Sequence, residues 1–342
     1  MFMAGEFVRP DEVGQIGLPT ASRLRFAPVK VLLLVNPFSS SVTARTRVVI
    51  RKALAGDHDV ELVETARRNH ATRLAQGAAA DGVEVVVVLG GDGTVNEAAN
   101  GLAGSATALA VLPGGSTNVF ARTIGLPNDP VEATAMTLEA LEAGSIRRVG
   151  LGVANGRYFC FHVGLGFDAA LVEQVEKRAG LKRWAGHALF MYAGFDTLAR
   201  HYDRKHPHFS VRYPDGDGVD DGYFAVCCNT NPYTFIGNRP FDIAPDATLD
   251  NGLAMVTVRS LRADRAMRVM FKALQGHGAL QRDRSVHYRS DVDAVVVEGL
   301  GGRPFPHQID GDYLGEITRV ELRHEPEVLD LVLPVDEGPD RQ

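Results

Sequence analysis

Between residues 28 and 145, short apolar runs each give way to a polar or glycine-rich stop, then to a segment of helical spacing. Val29–Val35 (VKVLLLV) reads as a buried strand that ends at Asn36-Pro37, since proline cannot continue a hydrogen-bonded ladder. The spacing predicts a helix over Ala44–Leu54, a strand over Asp59–Glu64 ending at Thr65, and a helix over Asn69–Ala80 anchored mainly by Leu74. Val85–Leu89 is the next strand, stopped by Gly90-Gly91-Asp92-Gly93-Thr94. Val95, Ala98, Ala99 and Leu102 follow at the spacing of one helical face. Ala108–Leu112 is a strand ending in Pro113-Gly114-Gly115-Ser116-Thr117-Asn118, and helices are predicted over Val119–Ile124 and Pro130–Ala143. Strand and helix in strict alternation mean a doubly wound parallel sheet.

The pattern changes near Arg147. Arg148–Val153, Tyr158–Val163, Phe209–Tyr213, Tyr223–Cys228, Leu253–Val258, Ala294–Val297 and Ile317–Leu322 read as strands, with Asp215-Gly216-Asp217-Gly218 as a turn. One long helical interruption runs from about Ala170 to Tyr202. The predicted organisation is a disordered tail over residues 1–27, an α/β domain over 28–146 and a β-sandwich domain over 147–324.

Composition narrows the class. The 342 residues suffice for two domains, and 45% hydrophobic with 23% charged residues is ordinary for a chain that buries a full core. A net charge of −6 gives no global basic face for nucleic acid. Cys160, Cys227 and Cys228 form no C-x-x-C pair and read as reduced, buried thiols of a cytosolic protein. No apolar run approaches the roughly 20 residues that cross a bilayer, and residues 1–27 lack the order of a signal peptide.

The candidate chemistry sits at the strand ends. In Gly90–Thr94, glycines let backbone N–H groups approach a ligand, and the following helix offers its positive end to the same spot. Such a loop suits phosphate. Asp92 would repel phosphate unless it holds Mg²⁺ between carboxylate and phosphate oxygens; the plainer alternative is a structural turn with an Asp cap. Asn36–Ser41 and Gly114–Asn118 end two more strands at the same sheet edge, where such folds bind ligands. Near the C-terminus, Asp310-Gly311-Asp312 places two carboxylates around a glycine, as either a reactive pair or a plain hairpin turn.

Taken together, these residues resemble the diacylglycerol kinase catalytic domain superfamily, specifically the bacterial lipid kinases related to diacylglycerol and sphingosine kinases. The resemblance is carried by Asn36-Pro37, Gly90 to Glu97, Leu112 to Arg122, Gly164-Leu165-Gly166-Phe167-Asp168-Ala169, Ala244-Pro245-Asp246-Ala247 with Asp250-Asn251-Gly252, and Ile309-Asp310-Gly311-Asp312. It implies an α/β domain that binds ATP, a β-sandwich domain for the lipid, a cleft between them, and a chain end (about 325–336) that returns to the first domain. By resemblance, ATP contacts come from Asn36, Pro37, Phe38, Ser39, Ser40, Thr65, Gly90, Gly91, Asp92, Gly93, Thr94, Val95, Asn96 and Ser116. Asp92 lies at the phosphates and their Mg²⁺. Asp312 is the general base on the hydroxyl of a lipid alcohol, first of all diacylglycerol. A positioned carboxylate that accepts this proton is worth about 10²–10⁴-fold.

Three positions depart from the family pattern. Asp312 stands where Glu is usual, and Val119 stands where the usual G-T-x-N-D carries its acid. A structural Mg²⁺ site in the second domain would use main-chain oxygens of Thr248 and Leu253, with Asn251 in the place of a carboxylate and Asp250 as a substitute. Two rival readings are an NAD kinase, which shares the G-G-D-G-T stretch, and an inactive lipid-binding homologue. The G-x-N-x-G-x-L-G-F stretch of NAD kinases is absent from the expected place.

The implied protein is cytoplasmic and peripheral at the inner face of the membrane, with a homodimer among the open arrangements. Lys177, Arg178, Lys182, Arg183, Trp184 and Phe190 suit an anionic membrane surface, and a helix packed on the sandwich fits them equally. His201, His206 and His208 read as a solvated basic loop rather than a metal site, and Asp168 as a helix cap more than a cleft residue.

Overall fold

The computed structural model describes residues 28–177, 202–276 and 278–335. The disordered tail expected over 1–27 and the basic aromatic segment around Trp184 lie outside them.

The first part alternates strand and helix as the pattern requires. β1 (Lys30–Val35), α1 (Ala44–Leu54), β2 (Asp59–Glu64), α2 (His70–Ala80), β3 (Val85–Gly90), α3 (Asp92–Leu102), β4 (Ala108–Pro113), α4 (Val119–Thr123) and α5 (Pro130–Glu142) follow in turn. β2-β1-β3-β4 pair in parallel, with Leu33 opposite Leu62 and Val87, and Val87 opposite Ala110. β3 and β4 are buried along their whole length, which is why they read as unbroken apolar runs. α2 is held differently from the expectation. Ala71, Ala75 and Ala78 are its buried face, and Leu74 is only partly buried. The small face lets α3 approach closely: a Cβ on Gly101 would sit 2.5 Å from the Thr72 carbonyl oxygen and 2.8 Å from Ala75 Cβ.

The second part is mainly antiparallel. β5 (Ile146–Ala154), β6 (Arg157–Phe159) and β7 (His162–Gly166) lead into α6 (Phe167–Lys177). β8 (Phe209–Arg212), β9 (Gly218–Gly222), β10 (Phe224–Cys228), β11 (Thr234–Ile236), β12 (Arg239–Phe241) and β13 (Leu253–Val258) precede α7 (Ala263–Gln275). β14 (Val286–Val292), β15 (Ala294–Gly299), β16 (Phe305–Ile309), β17 (Asp312–Ile317) and β18 (Arg319–Val332) complete the chain. The predicted strand Tyr158–Val163 is two strands, because Cys160 and Phe161 turn there to donate to a buried carboxylate. The predicted strand Ile317–Leu322 spans the junction of β17 and β18.

Two sheets result. β14-β13-β10-β7-β16-β17 form one. The other runs β2-β1-β3-β4-β18-β15-β8-β9, with β5 and β6 branching from β18. They face each other across Phe159, Leu165, Phe209, Met255, Val297, Phe305 and Leu322, which gives the expected sandwich. β18 serves both parts. Its first half pairs antiparallel with β15, its register shifts between Glu325 and Leu329, and Leu331 then pairs in parallel with Leu109 of β4. Cys160, Cys227 and Cys228 are buried and free, as read from the sequence.

Candidate active site

The stops after β1, β3 and β4 meet at one sheet edge. The Ser41 amide donates to the Gly114 carbonyl (2.9 Å), the Ser41 hydroxyl to the Gly115 carbonyl (3.2 Å), and the Gly114 amide to the Gly90 carbonyl (2.8 Å). A Cβ on Gly114 would lie 2.9 Å from Gly90 Cα, and one on Gly115 would lie 2.9 Å from Gly91 Cα. None of these four glycines has a positive φ. Here glycine permits two backbones to touch, whereas the sequence reading gave Gly90 and Gly91 the task of aiming amides at a ligand. Gly93 is different: a Cβ there would meet only Asp312 Oδ1, at 3.9 Å.

α3 begins at Asp92, three residues before its apolar spacing becomes visible, so Asp92, Gly93 and Thr94 form its first turn. Polar residues on this helix fasten other elements. Both carboxylate oxygens of Asp92 accept from the first amides of α4, Val119 and Phe120, each at 3.0 Å. The sequence reading set this carboxylate at the phosphates and Mg²⁺; the structure uses it to cap α4, whose own first turn holds no acid. Val119 stands where the family usually has one, and Asp92 supplies the missing charge from α3. Glu97 caps α2, accepting from the Asn69 amide (2.8 Å) and the Ala71 amide (3.1 Å). Asn96 reaches across to the second part, donating to the Tyr158 carbonyl (2.9 Å) and to Asp310 Oδ2 (2.8 Å).

Asp310 and Gly311 form the two-residue turn between β16 and β17, both with positive φ (48° and 81°). The turn separates its two carboxylates. Asp310 is buried and accepts from the backbone amides of Cys160, Phe161 and His162 at 2.7–3.0 Å, besides Asn96. Burial pushes its carboxyl up to about 6, against the pull of those N–H donors. Asp312 faces the cleft, with Oδ1 at 3.0 Å from the Arg68 guanidinium and Oδ2 at 3.6 Å from that of Arg157. Behind the turn, the Tyr233 hydroxyl donates to Asp168 Oδ1 (2.5 Å), Gln308 Nε2 donates to Asp168 Oδ2 (2.7 Å), and the Gly311 amide donates to Gln308 Oε1 (2.8 Å). Asp168, read as a helix cap, is a buried brace of the Asp312 hairpin, and burial raises its carboxyl above the ordinary range.

A cavity of about 430 Å³ joins Asn36, Phe38, Ser39, Thr65, Gly91, Gly93 and Thr94 to Asp312, with Arg67, Arg68 and Glu97 completing the wall. Asn36 is fixed there by donating from Nδ2 to Thr94 Oγ1 (2.9 Å) while Oδ1 accepts the Phe38 amide (3.0 Å). Pro37, Ser40, Gly90, Asp92, Val95 and Ser116 do not line this cavity. Val95 is packed into the core, and Ser40 and Ser116 are exposed. Asn96 lines a neighbouring cavity of about 680 Å³ with Arg67, Arg68, Arg73 and Arg157. Sequence reasoning missed these arginines. Arg67 and Arg68 follow the stop at Thr65 almost directly, a signal that could have found them; Arg157, in a short hairpin strand, carries none.

The second-domain metal expectation does not fit its residues. Asn251 turns its amide nitrogen to the Asp246 carbonyl (3.2 Å), its own backbone amide donates to the Thr248 carbonyl (3.3 Å), and Leu253 is ladder-paired in β13. Asp250, the substitute, is ion-paired with Arg147 at 2.6 Å. Among the described residues no cluster of three His, Cys, Asp or Glu side chains has metal-binding geometry. His206 and His208 bond to Asp203 instead, and His201, Lys182, Arg183 and Trp184 lie outside the described residues.

Known proteins resemble this chain in sequence and fold. Residues 30–154 match the family model of the diacylglycerol kinase catalytic domain. A protein of Chromohalobacter salexigens named "Probable lipid kinase YegS-like" is 31% identical over 248 residues, 71% of this chain and 75% of that one. The chain belongs to the diacylglycerol kinase catalytic-domain family. A "Diacylglycerol kinase" of Bacillus subtilis is 30% identical over 170 residues, 48% of this kinase and 54% of that relative. A crystal structure of a diacylglycerol kinase from Bacillus anthracis superposes with a TM-score of 0.65 at 22% identity, over 89% of this chain and 96% of that one. It shares the fold: an α/β part with a mostly parallel sheet and an antiparallel β-rich part. Membership makes the protein a kinase and implies ATP as phosphate donor and a lipid as substrate. No helix among the described residues is long and apolar enough to cross a membrane.

Proposed function

We propose that this kinase transfers the γ-phosphoryl group of ATP to the hydroxyl of a membrane lipid alcohol, with diacylglycerol converted to phosphatidic acid as the first candidate. The reading rests on the shared cavity in which Asp312 faces the first turn of α3 across Gly93. The positive end of α3 and the guanidinium groups of Arg67 and Arg68 suit the phosphates. ATP enters as its Mg²⁺ complex, so the ion comes with the substrate. In the proposed step the lipid oxygen attacks Pγ, the bond from Pγ to the oxygen bridging to the β-phosphate breaks, and ADP leaves. The hydroxyl proton passes to the Asp312 carboxylate. Arg68 and Arg157 hold that carboxylate at the cleft. Peripheral attachment at the inner face of the membrane is part of the proposal, because the substrate resides in a bilayer. So is the division at about residue 146 into an ATP-binding and a lipid-binding domain.

The test is incorporation of labelled phosphate from ATP into diacylglycerol, a long-chain amino alcohol and NAD. Lipid phosphorylation is expected, and Asp312→Asn should lower the chemical step by roughly 10²-fold or more with ATP affinity little changed. Phosphorylation of NAD with no lipid product would overturn the substrate class. Wild-type turnover by Asp312→Asn would remove Asp312 from the chemistry.

A further inference from the structure

α7 carries an apolar stripe on the wrong side. Ala273 is buried and Val269 partly buried, packed with Val226, Cys228, Ile243 and Val256 on the outer face of the six-stranded sheet. Met267, Phe271 and Leu274 stand out from the protein, 58%, 62% and 46% exposed. Their spacing of four and three residues puts them on a single line along the helix. Three large apolar side chains aligned in water mark a surface that meets something else.

The charges beside the stripe identify what. Arg268 lies roughly 100° round the helix from Met267, and Arg265 further round the same flank. Both are exposed and neither has an ion-pair partner among the described residues. Lys272 is ion-paired to Asp283 at 2.8 Å, which brings the turn bearing exposed Arg282 and Arg284 beside the helix. From Arg262 to Arg284 there are six Arg or Lys against two Asp, in a chain whose net charge is −6. A second copy of this surface would bring like charges together. An anionic bilayer accepts both features: apolar side chains enter the acyl boundary while guanidinium groups stay at phosphate level.

We infer that α7 is the membrane-docking helix of this protein, seating Met267, Phe271 and Leu274 in an anionic lipid surface, with Arg268 beside them and Arg265 further round the same side of the helix. The inference rests on the lipid-kinase reading and places its bilayer contact on a different element from the segment around Trp184.

The experiment compares the full chain with two variants, Met267→Ser/Phe271→Ser/Leu274→Ser and Arg265→Glu/Arg268→Glu. Each is sedimented with phosphatidylglycerol-containing vesicles and with pure phosphatidylcholine vesicles, and each is assayed on diacylglycerol both dispersed in detergent and embedded in the vesicles. Wild type should bind the anionic vesicles preferentially, and both variants should bind them about tenfold less or weaker, with Tm unchanged because the altered side chains are exposed. Wild-type binding by both variants overturns the inference. A fall in sedimentation coefficient of the apolar variant without vesicles overturns it in favour of self-association. A large drop in its Tm overturns it in favour of a contact within the chain. Docking through α7 without phosphorylation of any lipid alcohol would support the inference and defeat the function proposed above. Equal activity of all three proteins on vesicle-embedded lipid, with equal vesicle binding, would do the reverse.

Discussion

Asn96 and Asp310, 214 residues apart in the chain, are joined by a hydrogen bond of 2.8 Å from Asn96 Nδ2 to Asp310 Oδ2. Asn96 lies on the second turn of the helix whose first turn enters the cleft, and Asp310 lies two residues before Asp312. One amide therefore ties the N-terminal end of α3, at the cleft, to the hairpin that presents the Asp312 carboxylate.

Asn96→Ala removes that tie and leaves the Asp310 carboxylate short of one buried donor. Chemical denaturation should show a loss of about 1–3 kcal/mol. kcat should fall more than ATP affinity, because the hairpin loses its anchor while the α3 mouth is kept. Unchanged stability would show that the three backbone amides suffice.

Asp310 also predicts a pH dependence. Its folded-state carboxyl is raised to about 6 from an ordinary 3.8, so the native state binds this proton more tightly than the unfolded chain. Its contribution to stability is full below about 3.8 and is lost as pH rises through about 6. The Tm of wild type minus that of Asp310→Asn should accordingly fall as pH rises from about 3.8 through about 6, since the variant does not titrate there. Carboxyl NMR should place the midpoint near 6; a midpoint under 3.8 would mean that the N–H donors outweigh burial.

The glycines of the strand-end loops should divide into two kinds. Gly115→Ala drives a Cβ to within 2.9 Å of the Gly91 backbone, and overpacking of this kind costs about 1–3 kcal/mol. Gly93→Ala meets only Asp312 Oδ1, at 3.9 Å, so its Tm should stay near wild type while ATP binding weakens. Thermal shift with and without ATP separates the two. Equal destabilisation would show that Gly93, too, is a packing position.

Nucleotide-free protein should respond little to Mg²⁺. Asn251 donates to a carbonyl and Asp250 is held by Arg147, so neither expected side-chain ligand is free for the ion. Millimolar Mg²⁺ should move Tm by less than about 1 °C, and a saturable rise would show that the loop rearranges to bind the ion.

What could be read from the sequence follows from what buries a residue. β1, β3 and β4 are covered on both faces, so their runs are unbroken and their ends are plain. β14 (VHYRSDV) and β17 (DYLGEI) carry polar residues through much of their length, and a pattern of apolar positions passes over them. α7 was missed because its most conspicuous apolar residues face outward. In Asp310-Gly311-Asp312 the pattern supplies two like carboxylates; only the left-handed turn decides which is buried and which faces the cleft. Asp92 is ambiguous in sequence for a related reason. A capping carboxylate and a metal-binding one look alike in sequence, and the helix that Asp92 caps begins 27 residues further on.

The dual pairing of β18 has a consequence for how the molecule is made. β4, apolar and buried throughout, gains a neighbour on one side only when Leu331 arrives beside Leu109. Until residues 319–332 have emerged from the ribosome, the parallel sheet ends in an open apolar edge, the kind that captures other nascent chains. The first part of the molecule to be synthesised is thus among the last to be completed, and contacts of such long sequence separation slow folding. A chain interrupted before β18 leaves a sticky intermediate rather than a finished half.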